Sequence, residues 1–391
     1  MLKSIIPIFI VLVFYSCSNG KKSSENDSSN IEVKFEFLDS VVVESLLELY
    51  LTDKDPNSER LLLNEKEMST FFLTDMKGKV LSQFELAGEG PNEVKSPTQV
   101  AFWKEGLVVK EVSAEMKYNF FDKDLKKIDQ SPVIARSMNM PEMLNSGRQF
   151  SLVEKEEKTL IVGHERLAME ADLWTPQEQN GNFYDKAETG FIFEVGSEDL
   201  YRLNLYPENW KPKVEKKWVG YTTPFIQVSK TDKVVAILPL YGNQLFYFQL
   251  NDNGLTPMSE ITLTHPERIE DQSYEINEDS YLLYPYFRRL SAGGQYFLIY
   301  FYTAFPRSIL DTFKTKGGEL YNDPEFQKAL KKYYLAKYIL TDTKGNQAAI
   351  AELPIPGEVH FMDADDIIYI KPTSETEKDY NVFYRYRVSF E

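Results

Sequence analysis

The sequence holds one cysteine, Cys17, and three histidines among 391 residues. A single thiol excludes a disulfide framework and any zinc site built on several thiolates. Three scattered histidines leave little material for a multi-histidine metal centre. Cations are also outnumbered, with 44 Lys and Arg against 60 Asp and Glu, a formal charge of −16. A nucleic-acid binder needs a basic stripe to neutralise phosphates, so no nucleic-acid partner is expected. Long apolar runs are missing as well: the longest, Ile5 to Tyr15, has 11 residues, against roughly 20 for a membrane-crossing helix. Aromatic residues, by contrast, are plentiful, with 26 Phe, 24 Tyr and 4 Trp. A hydrophobic share of 42% in periodic runs is enough to bury a core, which excludes general disorder.

The short apolar run has the length of a secretory h-region, and Lys3 supplies its positive n-region. Ser16 then offers a small residue before Cys17. This resembles a bacterial lipoprotein signal, in which cleavage leaves a lipid-modified cysteine at the new N-terminus. Phe14 and Tyr15 stand where Leu and a small residue are usual, a relaxed box similar to those of Bacteroidetes lipoproteins. The competing reading is an ordinary signal peptide that happens to contain a thiol. Residues 1–16 are therefore expected to be removed, with Cys17 lipidated. Residues 18–30 contain no apolar side chain and read as a flexible tether, with a reach of roughly 20 Å. The expected location is the cell envelope, lipid-anchored and in keeping with the outer membrane, through several acyl chains, since one chain holds only marginally.

From Ile31 to Glu391 the chain reads as one all-β domain. Alternation is plain in Val33–Phe37, Tyr201–Leu205, Leu245–Leu250 and Phe383–Val388. One inserted helix is expected, with Asp323 as N-cap, Pro324 at N1 and Phe326, Leu330 and Tyr333/Tyr334 at helical spacing. A strand ending in an Asp/Gly turn recurs as Phe72-Leu-Thr-Asp-Met-Lys-Gly-Lys79 and Ile339-Leu-Thr-Asp-Thr-Lys-Gly-Asn346. Looser copies surround Asp122 and Asp252, and a weaker one surrounds Pro207. Asp, Asn and Gly suit tight hairpins because they tolerate positive φ. The spacing fits four-stranded blades of about 40–50 residues, with insertions at 164–190 and 304–334. After Gly357 only three strands follow, and the N-terminal strand supplies the fourth. Five turns and this closing blade predict a six-bladed β-propeller, which leaves no long exposed edges. A β-sandwich or a pair of stacked β-domains is the alternative.

The segment Gly78–Val94 with Pro97 resembles the signature of six-bladed β-propeller lipoproteins of Bacteroidetes, a family largely uncharacterised. There a Gly-x-Gly-Pro-x-Glu turn follows the first blade. Here it is Gly88, Gly90, Pro91 and Glu93, with Asn92 in place of the more usual Gly. The resemblance implies a fold and a compartment but no reaction and no site residues.

No strong catalytic motif is present. Gly88–Glu93 lacks the Lys-Ser/Thr pair and helix of a phosphate cradle, so it reads as a structural turn. Asp363-Ala-Asp-Asp366 lacks the Gly and distal Glu of an EF-hand and reads as a polar turn rather than a calcium loop. His164-Glu165 opens like a zinc-protease motif, but Ala168 stands where the second ligand belongs. His265 and His360 read as packing or surface residues. No Gly-x-Ser-x-Gly elbow occurs, and no cofactor or metal is implied. The aromatic stretch 281–290, with 296–302, is the most suggestive of contact with a ligand, since aromatic faces and Arg stack on sugars or anchor protein partners. Tyr284, Tyr286, Arg288 and Arg289 are the candidate contacts; the alternative is that they fill space between sheets. The expected function is a lipid-anchored recognition or scaffold module for an envelope protein, peptide or glycan. The alternative is a propeller hydrolase or lyase using channel-lining acids, possibly with a metal.

Overall fold

The computed structural model describes residues 31–65, 68–136, 148–156, 158–165, 168, 181–268, 280–315, 320–374 and 378–391. Residues 1–30, where the signal segment, the lipidated Cys17 and the tether are expected, lie outside them.

Strand β1 (Val33–Glu44) comes first and pairs last. Blade 1 follows with β2 (Leu49–Lys54), β3 (Arg60–Glu65), β4 (Thr70–Asp75) and β5 (Val80–Glu85). Blade 2 holds β6 (Pro97–Trp103), β7 (Gly106–Glu111), β8 (Glu115–Phe121) and β9 (Lys127–Gln130), with the two-residue β10 (Ala135–Arg136) also on β8. Blade 3 is β11 (Phe150–Lys155), β12 (Lys158–His164), β13 (Gly190–Glu194) and β14 (Leu200–Leu203). Blade 4 is β15 (Phe225–Val228), β16 (Val234–Leu238), β17 (Gln244–Leu250) and β18 (Leu255–Thr262). Blade 5 is β19 (Phe287–Ala292), β20 (Tyr296–Tyr302), β21 (Ala336–Asp342) and β22 (Ala348–Ile350). Blade 6 is β23 (Gly357–Met362), β24 (Ile367–Pro372) and β25 (Tyr380–Phe390), completed by β1. The ring is a six-bladed propeller closed by the N-terminal strand, as the strand count after Gly357 predicted.

The alternating sequence pattern becomes packing between blades. Six apolar clusters fill the six inter-blade spaces, each drawing on two neighbouring sheets. Between blades 2 and 3, Tyr118 and Phe120 meet Phe150, Phe191 and Phe193. In β20, Phe297, Ile299 and Phe301 face blade 4 while Leu298 and Tyr300 face blade 6. The high aromatic content is thus largely wedge material for sheets that splay outward. Polar latches accompany it. Phe102 N–H donates to Asp53 Oδ2 between blades 1 and 2 at 2.9 Å, and Ser151 donates to Gln227 between 3 and 4 at 3.0 Å. Gly294 N–H donates to Asp366 between 5 and 6 at 2.8 Å, and Leu49 N–H to Asn381 between 6 and 1 at 2.9 Å.

Three of the sequence turns carry one device: Asp75, Asp122 and Asp342 each accept two backbone N–H groups of their own hairpin through Oδ1. Asp252 also lies in an outer hairpin, between β17 and β18. The copy around Pro207 does not. Blade 3 turns at Val195–Asp199, with Gly196 at φ +88, and Tyr201–Leu203 is already the outer strand. The segment after the Pro207 copy begins instead with helix α2 (Lys211–Val214), which Pro212 favours at its first turn. The expected helix is α5 (Pro324–Tyr333), with Asp323 accepting from Glu325 N–H and Phe326 N–H. Helix α4 (Arg307–Thr315) pairs with it around Phe326 and Leu310, and α1 (Phe183–Lys186) and α3 (Ser280–Leu283) are single turns.

Candidate functional site

The ring has two unlike ends. The inner strands β2, β6, β15, β19 and β23 finish at one of them: Lys54 meets Asp363, Lys230 meets Met362, and Lys230 N–H donates to Gly293 O. Every connection between strands at this end is five residues or shorter. Val33 and Phe390, near the two ends of the described chain, lie here too, since they pair with each other and Val388 N–H donates to Asp366 O. The long connections, 165–189, 204–224, 263–286 and 303–335, all join strand ends at the opposite end. We call the two the short-turn end and the inserted-loop end.

At the short-turn end charged side chains from four blades converge inside the ring. Arg148, just before β11, places Nη1 3.0 Å from Asp53 Oδ2. Lys54 Nζ lies 3.3 Å from Asp363 Oδ2 and 3.1 Å from Asp365 Oδ2. Asp363 Oδ1 accepts from Asp365 N–H and Ile367 N–H, so the Asp-rich segment is the polar turn expected of it. Lys230 donates to Met362 O at 2.8 Å and sits 4.2 Å from the Phe361 ring centroid. Burial pushes its ammonium down to about 8, helped by the nearby Arg148 cation. Asp366 is raised to about 6 by burial, against the three backbone N–H groups it accepts.

At the inserted-loop end, two aromatic sub-cores support the insertions. Phe183 of α1 packs edge-on against Trp218 and Tyr221, while Tyr184 packs on Trp210 and donates to Gly220 O. The four candidate contacts lie next to this. Tyr284 and Tyr286 are buried, with Tyr284 stacked on Tyr241 at 5.1 Å and tilted against Tyr286 at 4.8 Å. Arg288 donates to Tyr281 O and to the Tyr334 hydroxyl, both at 2.7 Å, and so pins the α4–α5 insertion onto blade 5. Arg289 points to the other neighbour and donates to Val359 O of β23. The structure brings Tyr284 and Tyr286 together and turns the two arginines to different partners.

Arg268 organises this region and was not singled out from the sequence. Its guanidinium is buried, donates to Pro285 O, Gly242 O and Asn243 Oδ1, and lies 3.7 Å from the Phe287 ring centroid. Burial pushes it down to about 10. Lys110 was likewise missed, although a lysine directly after the apolar run Leu107–Val109 was a readable signal. It is buried and pairs with Glu165 at 2.7 Å, joining blades 2 and 3.

The remaining motif residues are architectural. Glu93 Oε2 accepts from Gly90 N–H at 2.6 Å, and Gly88 N–H donates to Val94 O. A Cβ on Gly88 would stand 2.0 Å from that carboxylate, so a larger residue there must displace the Glu93 side chain from Gly90 N–H. Pro91 continues the same turn, and Lys127 on β9 donates to Glu93 O. His164 is buried edge-on against Phe225, and burial holds it down to about 4. His360 stacks on Tyr50, and His265 accepts from Glu267 N–H. Among the described residues, no three His, Cys, Asp or Glu side chains converge so as to hold a metal ion.

No protein-family model matches the sequence, and no curated protein is recognisably similar to it. Solved structures do match. A member of the DUF4221 family from Bacteroides vulgatus superposes with a TM-score of 0.59 at 8% identity, covering 92% of this chain and 99% of its own. A Bacteroides fragilis protein described as exported gives 0.49 at 10% identity, covering 94% and 98%. A streptogramin B lyase gives 0.39 at 11% identity, covering 92% and 98%. At 8% identity the likeness to the Bacteroides vulgatus protein is one of fold alone. No helix among the described residues is long and apolar enough to cross a membrane.

Proposed function

We propose that the protein is a lipid-anchored recognition or scaffold module of the cell envelope that engages a protein, peptide or glycan through its inserted-loop end. One observation carries this reading. Among the described residues, the exposed large apolar side chains are either spread along outer strands or gathered at the inserted-loop end, and none lies in a connection at the short-turn end. Leu46, Leu47, Val214, Tyr281, Tyr321, Leu335 and Tyr380 are at that end, with Leu46 83% and Val214 62% exposed. Apolar groups collected on one face mark interaction surfaces.

The chain path supports the same reading. The segment preceding Val33 enters at the short-turn end, so an anchor at Cys17 would point the inserted loops away from the membrane. Two experiments test the proposal. Cys17→Ala should move the protein from the membrane fraction to the soluble fraction; retention in the membrane contradicts the anchor. Native co-purification of the full-length protein from gently solubilised envelopes should yield a stoichiometric partner, lost in a Leu46→Asp, Tyr321→Asp variant. Recovery of the wild-type protein alone contradicts the scaffold reading.

A further inference from the structure

The charged group inside the short-turn end does more than latch blades together. Arg148, Lys54 and Lys230 bring three cations into the ring, against two carboxylates well buried among them, Asp53 and Asp363. Those carboxylates are already engaged. Asp53 Oδ2 takes Phe102 N–H and Arg148, while Asp363 takes Lys54, two backbone N–H groups and the Tyr369 hydroxyl. Of the remaining carboxylates, Asp365 is largely exposed and meets only the Lys54 side, and Asp366 is taken up by the backbone N–H groups of Gly294 and Gln295.

Lys230 is the odd member. Among the described residues no carboxylate lies within 4.0 Å of its ammonium, which makes one hydrogen bond, to the carbonyl of Met362. Arg148 Nη1 is buried and, although close to Asp53, is not aligned for a hydrogen bond to it. Lys230 is half-buried, and a partly desolvated cation without a direct counter-charge is costly unless something supplies one. We infer that this end of the channel binds a small oxyanion, a carboxylate or a tetrahedral anion, between Lys230 and Arg148. Guanidinium and ammonium groups together suit such a ligand, one through directed N–H donors and the other as a point charge. The site lies at the opposite end from the surface proposed for partner recognition and stands independently of it.

The charged groups facing Lys230 are Arg148, Asp53, Asp363 and Lys54. An anion beside it stabilises the protonated ammonium, so binding weakens as pH rises through the value of about 8. The test uses the purified full-length protein, titrated by calorimetry with sulfate and, separately, acetate at fixed ionic strength. Neither probe changes charge between pH 7 and 9. Saturable binding of either is expected, with affinity falling by about tenfold from pH 7 to pH 9. Sulfate alone binding assigns a tetrahedral anion; acetate binding assigns a carboxylate. Lys230→Met and Arg148→Gln should each weaken binding at least about tenfold, and the exposed Lys328→Met on α5 should not. Should Lys230→Met fail to fold, Lys230→Arg keeps the cation but not its titration, so binding persists and its pH dependence above 8 disappears. No saturation by either probe, or unchanged binding in Lys230→Met, overturns the inference.

Discussion

Val33 faces Phe390 across the β1–β25 ladder, so the two ends of the described chain are partners at the same end of the ring. The clasp is noncovalent and spans the whole of β1, with Val41 and Val43 buried in the cluster that joins blades 6 and 1. It places Val33 and Phe390 together at the short-turn end, which is the end an anchor at Cys17 would hold toward the membrane under the function proposed above.

Val43→Asp places an unpaired carboxylate in that cluster. We expect a loss of more than about 3 kcal/mol in urea unfolding. A loss below about 1 kcal/mol would show that the ring stays closed without the β1 contacts.

The Gly88–Glu93 turn should behave as a coupled unit. Glu93→Ala removes the acceptor of Gly90 N–H and should cost about 1 kcal/mol. Gly88→Ala should cost more, because its Cβ meets the Glu93 carboxylate. In the Glu93→Ala background that penalty should shrink, giving a coupling of about 1 kcal/mol or more in a double-mutant cycle. Strict additivity would refute the contact.

Much of this architecture was legible before the structure. Period-two alternation and the Asp turns marked the outer hairpins, and the one-strand deficit after Gly357 marked the closing blade. The reading failed at Pro207 because Tyr201–Leu205 alternates whichever strand of the hairpin it forms. Pattern alone could not distinguish the third strand of blade 3 from the fourth. The charged group in the channel was illegible for a different reason. Asp53, Arg148, Lys230 and Asp363 are far apart in sequence, and only ring closure brings them together. Tyr284 and Tyr286 stood out as aromatics, but burial depends on which insertion covers them, and that is set by Arg268 and Arg288.

Acid stability offers a separate check. His164 has a folded-state value near 4, well below the usual 6.5, because burial, aided by Lys110, opposes its charged form. A depressed value means the stabilisation is present above pH 6.5 and is lost as pH falls toward 4. The difference amounts to about 3 kcal/mol at full protonation. Unfolding free energies at pH 7 and 4.5 should therefore converge in His164→Leu relative to wild type. His360, held low by burial and by Lys371 and Arg289, leaves part of the slope in place. An unchanged slope in the variant would contradict the assignment.

Arg288 links blade 5 to the helical insertion through Tyr281 O and Tyr334. Arg288→Leu should increase protease cleavage between residues 303 and 335 and lower global stability by about 1–2 kcal/mol. Unaltered cleavage would show that the α4–α5 core around Phe326 suffices to hold the insertion.

The central claim is that the inserted-loop end does the recognising. Site-specific photo-crosslinkers at Val214 and Tyr321, and in parallel at Lys79 and Lys126 in short turns, test it most directly in intact cells. The account predicts a discrete crosslinked species from the first pair and none from the second. Crosslinks confined to the short-turn positions would contradict it.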